Sequence, residues 1–234
     1  MKRMRFPDRR WQGRNALLTV CASMLVGCGT AQDDPLVSLA STLASNVVGR
    51  GGAEAPQTDA SSALTPELVA QIGQPLLAVE YLRLDATELY TRVGTNRGVE
   101  TWRSPGDRGL TIRQDGLLTA TRGFGFDLMS SDAAETASVL SRRAEGHVDR
   151  VMLHLDGEYQ ERAQTHLCRI TNEGRDSILM LGRSYAATRF TEVCETGNGT
   201  YENRYWLDDR GTVRRSIQWV SPEIGQLQID RLTD

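Results

Sequence analysis

The chain has 234 residues, 39% hydrophobic, 24% charged and 6% aromatic, a balance that excludes a wholly disordered protein, a collagen-like repeat and a polytopic membrane protein. Its formal charge is −3, but six basic residues and one acid fall in the first 27 positions, so the remainder carries 21 basic residues against 29 acids, a net −8. A net negative body excludes nonspecific nucleic-acid binding, which needs a basic surface to neutralise phosphates.

Residues 1 to 14 are basic, with Lys2, Arg3, Arg5, Arg9, Arg10 and Arg14. Residues 15 to 27 are uncharged and mostly apolar, and too few to cross a bilayer core, which takes about 20. This is the shape of a secretory signal peptide. It ends in Leu25-Val26-Gly27-Cys28, which resembles the lipobox of bacterial lipoproteins, with Cys28 the acylated residue and Gly27 the small residue before the cleavage point. Mature lipoproteins usually carry three acyl chains, and two or more suffice for stable anchoring. Gly29, rather than Asp, at the second mature position favours the outer membrane, facing the periplasm. Residues 28 to 64 are rich in Ala, Ser, Gly and Thr and read as a tether, with a short helix possible over Leu36 to Leu43 and a flexible linker from Arg50 to Ser62.

Residues 65 to 234 read as one β-rich domain. Thr65 caps a short helix with Pro66 at its first position and Gly73 at its end. Strands are predicted over Leu76 to Leu82, Glu88 to Val93, Val99 to Arg103, Leu110 to Arg113 and Leu117 to Thr121. Asp132-Ala133-Ala134-Glu135 reads as a capping box before a second helix ending near Arg143. Strands then resume over Arg150 to Leu155, Ala163 to Ile170, Ile178 to Leu181, Ala187 to Cys194, Tyr201 to Leu207, Thr212 to Trp219 and Leu227 to Leu232. Alternation puts Val151, Leu153 and Leu155 on one face, and Val213, Ile217 and Trp219 on one face. Asp115-Gly116, Asp156-Gly157, Glu173-Gly174 and Arg210-Gly211 read as hairpin turns. The expected fold is mainly β: an antiparallel meander forming a closed or nearly closed barrel, or a two-layer sandwich, with one or two short helices.

Cys21 leaves with the leader and Cys28 is lipidated, so Cys168 and Cys194 remain as an even pair in an oxidising compartment, the expected disulfide. Two buried thiols or a metal pair are the alternatives. With Ile178 to Leu181 as a separate strand between them, the cysteines would lie about 10 Å apart, twice the strand spacing. A bridge then needs a bend, a crossover or a strand end.

His147, His154 and His166 lie close in sequence, but the first two are seven apart, on opposite faces of one strand, and no carboxylate or thiol sits at ligand spacing. No metal and no cofactor are expected. There is no G-x-S-x-G or S-x-x-K, and nothing selects a carboxylate pair for glycoside hydrolysis. Thr121-Arg122-Gly123-Phe124-Gly125-Phe126 lacks the spacing and the strand–helix setting of a phosphate loop, so its glycines are expected at a bend beside packed phenylalanines. The expectation is a non-enzymatic chain. Aromatics interleaved with arginines are the better lead for contact with a polymer or a partner protein: Trp102, Arg122, Tyr205, Trp206 and Trp219. Adjacent Tyr205 and Trp206 must point to opposite faces.

Several stretches together resemble the YjbF/GfcB-like family, the group 4 capsule polysaccharide lipoproteins. They are Glu100-Thr101-Trp102, Asp115-Gly116-Leu117-Leu118, Thr121 to Met129, Cys168, Glu192-Val193-Cys194, Asn203-Arg204-Tyr205-Trp206 and Arg215 to Val220. The resemblance implies an outer-membrane lipoprotein of β fold with a role in making or exporting capsule or exopolysaccharide, in contact with the polymer or the export machinery. It implies no catalytic residue; a glycan-modifying enzyme of the same pathway and a structural envelope lipoprotein unrelated to export are the alternatives. Phe124 stands where the family commonly has Leu.

Overall fold

The computed structural model describes residues 64–155, 158, 160–197 and 199–233. Cys28, the leader, the tether and Asp156-Gly157 lie outside the described residues. The first helix, α1 (Pro66–Ile72), follows its local signals: Thr65 Oγ1 accepts the Leu68 N–H at 3.2 Å, Pro66 opens the helix and Gly73 ends it. Twelve strands follow: β1 (Leu76–Tyr81), β2 (Ala86–Asn96), β3 (Val99–Arg103), β4 (Gly109–Arg113), β5 (Leu118–Arg122), β6 (Leu128–Asp132), β7 (Gly146–Leu155), β8 (Glu161–Met180), β9 (Arg183–Thr196), β10 (Gly199–Leu207), β11 (Val213–Ser221) and β12 (Gly225–Arg231). The second helix, α2 (Ala134–Ser141), lies between β6 and β7.

All twelve strands form one antiparallel sheet in the order β5-β4-β3-β2-β1-β12-β11-β10-β9-β8-β7-β6. The two ends of that order, β5 and β6, are consecutive in sequence, so the sheet curls into a nearly closed barrel whose seam lies between them. Side chains lace the seam in place of a strand ladder. Thr121 Oγ1 donates to Asp127 Oδ1 at 2.8 Å and accepts the Leu128 N–H at 2.9 Å. The Arg122 guanidinium donates to the carbonyls of Leu128 and Met129. Of the two loop phenylalanines, Phe124 packs on Tyr81 with ring centroids 5.6 Å apart, whereas Phe126 is 58% exposed.

The interior is apolar along most of its length, with Leu77, Val79, Tyr90, Trp102, Ile112, Leu118, Phe190 and Val220 in one cluster, joined by Ala137, Val139 and Leu140 from α2. The capping box does not form. Asp132 Oδ1 accepts the Ala134 N–H, but Glu135 reaches the Asp149 N–H of β7, so it ties the helix to the sheet instead of closing its own first turn. At the β4–β5 turn Gly116 has φ +89°, and a Cβ there would sit 2.5 Å from Val213 Cβ, so only glycine fits.

Two sequence expectations are corrected, and a third, the face shared on β7, holds and is placed. Glu173-Gly174 is not a hairpin turn: the ladder shifts register between Asn172 and Gly174, a bulge within one long strand β8. Residues Gly174–Met180 therefore continue β8, paired with β9, as an arm lying over the outside of the barrel. There Ile178, Met180 and Ala187 pack on Trp206 and Ile217, and Trp206 Nε1 donates to Asp176 Oδ2 at 2.9 Å. Because β8 and β9 are direct neighbours, Cys168 faces Cys194 in register with Cα atoms 4.0 Å apart, and the disulfide closes across adjacent strands without a crossover.

Val151, Leu153 and Leu155 do share a face, and it is the outer one. The inward side chains of β7 are Val148, Arg150 and Met152. In the second correction, Val213, Ile217 and Trp219 do not share a face. Trp206 pairs with Arg215 but Leu207 with Val213, so Arg214 is an extra residue that inverts the alternation. Val213 joins the interior, and Ile217 lies under the arm.

Candidate functional site

Inside the barrel, Arg150 of β7 and Glu192 of β9 form a wholly buried ion pair, with Nη1 to Oε2 at 2.9 Å. Burying two charges costs several kcal/mol per ion unless their hydrogen-bonding capacity is met. Here it is met. Glu192 Oε1 accepts from the Thr136 hydroxyl at 2.7 Å, and Oε2 accepts from Asn203 Nδ2 and the Tyr205 hydroxyl, each at 2.7 Å. The other Arg150 nitrogens donate to Ser131 Oγ and to the Leu118 carbonyl. Burial alone would push the Glu192 carboxyl up, but Arg150 and the three donors outweigh it and hold it below the usual carboxylate range. Burial raises the Tyr205 phenol well above its ordinary value.

This network reaches the barrel mouth through Asn203. Its Oδ1 accepts the backbone N–H of Trp219 at 2.7 Å, beside the register shift between Trp219 and Ser221. The Trp219 indole stacks on Tyr201, centroids 4.5 Å apart and planes 15° apart. The Tyr201 hydroxyl lies 2.8 Å from His166 Nδ1 and donates to Met152 Sδ at 3.4 Å. His154 Nε2 donates to the Val220 carbonyl at 2.7 Å, and both imidazoles meet Trp219 edge-on. In register, His166 faces Arg150 and His154 faces Arg162, which places the two histidines four residues apart along their strands. His147 is exposed on the other face of β7. Among the described residues, Cys168, Glu192 and Cys194 bring ligand-type atoms within 4.8 Å, but both sulfurs are spent in the disulfide and the carboxylate is paired with Arg150.

Strand direction alternates, so the β1–β2, β9–β10 and β11–β12 turns share one end of the barrel. There the Tyr201–Trp219 pair lines an open groove of about 470 Å³ together with Leu82, Arg83, Glu202 and Arg204. Arg83 Nη1 donates to the Glu223 carbonyl at 2.7 Å, and its side chain lies over Gly225, where a Cβ would come within 3.0 Å of Arg83 Nε. Arg204 Nε donates to Glu202 Oε1 at 2.5 Å. This groove is the candidate functional site.

Of the five contact residues expected from sequence, only Trp219 lines it. Trp102 is wholly buried between the guanidiniums of Arg92 and Arg231, both paired with Glu100, so it is an interior residue. Tyr205 points inward into the Arg150–Glu192 network. Trp206 points outward, as adjacency requires, but the β8–β9 arm covers it to 8% exposure. Arg122 laces the seam. Nothing in the sequence selects Arg83 or Glu202. Arg83 sits in the β1–β2 turn, and only the pairing of β1 with β12, at the other end of the sequence, brings it towards β11 and β10.

The family described as group 4 capsule polysaccharide lipoprotein GfcB, YjbF matches residues 38–232. No curated protein matches the chain. Among solved structures, the chain is similar to the hypothetical lipoprotein YmcC from Escherichia coli, at 14% identity and a TM-score of 0.64, over 79% of this chain and 98% of that one. An exported protein with a YmcC-like fold from Bacteroides fragilis aligns at 9% identity and a TM-score of 0.27, over 68% of this chain and 93% of that one. The first of these shares the barrel fold. With the family match spanning most of its length, the chain belongs to the YjbF/GfcB family of group 4 capsule polysaccharide lipoproteins.

Proposed function

We propose that this protein is an outer-membrane lipoprotein, acylated at Cys28 and facing the periplasm, that acts as a non-enzymatic accessory factor in capsule or exopolysaccharide export by contacting the polymer at the barrel mouth. The observation that carries this reading is the Tyr201–Trp219 stack lining an open groove, with the Trp219 backbone fixed from beneath by Asn203. Aromatic faces suit the C–H faces of sugar rings, and a fixed ring loses little entropy on binding. The groove lining also favours contact over cleavage. Its single carboxylate, Glu202, is paired with Arg204, whereas glycoside hydrolysis commonly uses two carboxyl groups across a cleft.

Deleting the gene is expected to reduce or alter surface polysaccharide without slowing growth. Complementation with Trp219→Ala should restore it only in part, and purified protein should release no sugars from the polymer. A single Asp or Glu whose replacement abolishes export in a folded protein would sink the accessory reading. For the anchor, Cys28→Ser should block incorporation of labelled fatty acid and leave an uncleaved precursor; continued labelling would show the lipid to be elsewhere.

A further inference from the structure

The groove has a charge balance opposite to that of the molecule around it. Residues after Gly27 carry 21 basic side chains against 29 acids. Yet the groove is lined by two guanidiniums, Arg83 and Arg204, and by one carboxylate, Glu202. Glu202 is engaged by Arg204. Arg83 meets no carboxylate among the described residues: its hydrogen bond goes to the Glu223 carbonyl, which holds the guanidinium in place without cancelling its charge. Gly225 leaves the space in which that side chain lies. The result is a positioned, uncompensated cation beside a stacked aromatic pair.

Resting on the reading of this groove as a polymer-contact surface, we propose that it is selective for an anionic sugar, a carboxylate-bearing residue such as a uronic acid, with its ring against Trp219, which Tyr201 backs, and its carboxylate on Arg83. A guanidinium presents paired N–H donors matched to the two oxygens of a carboxylate, a geometry that a neutral sugar hydroxyl does not use fully. Arg204 lies in the same lining, with its charge offset by Glu202. The net negative charge of the body disfavours nonspecific attachment of an anionic chain. Binding in the groove should weaken as salt screens the one close charge pair.

The test uses the full-length protein in detergent micelles, titrated with oligogalacturonate and with the same oligomer after carboxyl reduction, read by tryptophan fluorescence and calorimetry. The acidic oligomer is expected to bind at least tenfold more tightly than the reduced one, and less tightly in 500 mM than in 50 mM salt. Arg83→Gln, a change in an exposed turn, should lower affinity for the acidic oligomer about tenfold and leave affinity for the reduced one unchanged. Equal binding of both oligomers by the wild type, with no effect of Arg83→Gln, would overturn the anionic selectivity and leave polymer contact standing. Binding of neither would remove the polymer-contact reading and this proposal with it.

Discussion

Glu192→Gln keeps the shape of the side chain and removes its charge. Arg150 is then a fully buried guanidinium facing a neutral amide, and breaking a buried pair in this way costs about 3–5 kcal/mol. The unfolding entropy is about 2.1 cal/mol/K per residue, roughly 0.36 kcal/mol/K for a domain of ~170 residues, so the melting temperature should drop by roughly 8–14 °C. Arg150→Met in the same background removes the stranded cation, while the amide introduced by Glu192→Gln keeps its oxygen on Asn203 and Tyr205 and turns its NH2 to the Thr136 hydroxyl, which accepts. The double variant should therefore be more stable than Glu192→Gln alone. Urea denaturation of wild type, both single variants and the double variant gives the coupling energy directly. Because Glu192 holds Asn203, and Asn203 holds the Trp219 backbone, native-state tryptophan emission should also change in Glu192→Gln. Additive costs within about 0.5 kcal/mol would refute the pair as the centre of the network.

Non-reducing peptide mapping should recover Cys168 joined to Cys194, and Cys168→Ala/Cys194→Ala should cost about 3.5 kcal/mol for a loop of 26 residues; thiols open to alkylation in the oxidised protein would contradict this. Burial, with His154 and Arg150 nearby, holds the His166 imidazole below 6.5, and its Nε2 is buried without a partner. The unfolded chain takes up a proton near pH 6.5 that the folded chain resists. Stability is therefore full above that pH and falls as the pH drops from about 6.5 towards the folded value, and His166→Gln should flatten urea midpoints measured across that window. Thr121→Val orphans the Leu128 N–H at the seam and should cost about 1–3 kcal/mol, with hydrogen exchange accelerating first in β5 and β6; uniform acceleration through the sheet would argue against a laced seam.

The helix α1 is legible in the sequence because its signals are local: Thr65, Pro66 and Gly73 act within one turn of their own backbone. The strand positions and the barrel follow from alternation and short turns. What alternation cannot give is which face lies inside. On β7 the leucines face out and Arg150 faces in because Glu192, 42 residues away, neutralises it there. Glu173-Gly174 reads as a turn because a glycine of positive φ serves hairpins and bulges alike, and only the partner strand distinguishes them. That one reading also sets the expected separation of the cysteines, which falls from two strand spacings to one because β8 is continuous. The extra residue Arg214 has the same kind of effect on β11, since a single inserted residue exchanges every face after it.

The stretches that carry the family resemblance meet in the interior and at the seam. Glu192, Asn203 and Tyr205 surround Arg150. Gln218 accepts the Leu118 N–H at 2.9 Å and donates to the Gly116 carbonyl at 3.0 Å, tying β11 to the β4–β5 hairpin across the barrel. Thr121 and Asp127 close the seam. Buried polar positions are exacting, because any side chain that leaves a partner unsatisfied costs about 1–3 kcal/mol, so such residues make a recognisable pattern. Arg83 and Glu202 lie on the rim, where water can satisfy a polar group that loses its protein partner. The resemblance therefore carries the barrel and the seat of Trp219, while Arg83 and Glu202, the rim charges of the proposed site, stand outside the stretches that carry it. Arg83→Glu separates the two levels. It should leave the unfolding free energy within about 0.5 kcal/mol of wild type, as surface substitutions do, yet abolish preference for an acidic glycan. A large loss of stability in that variant would mean that the Arg83–Glu223 contact belongs to the scaffold, and that ligand charge and fold are not independent at this mouth.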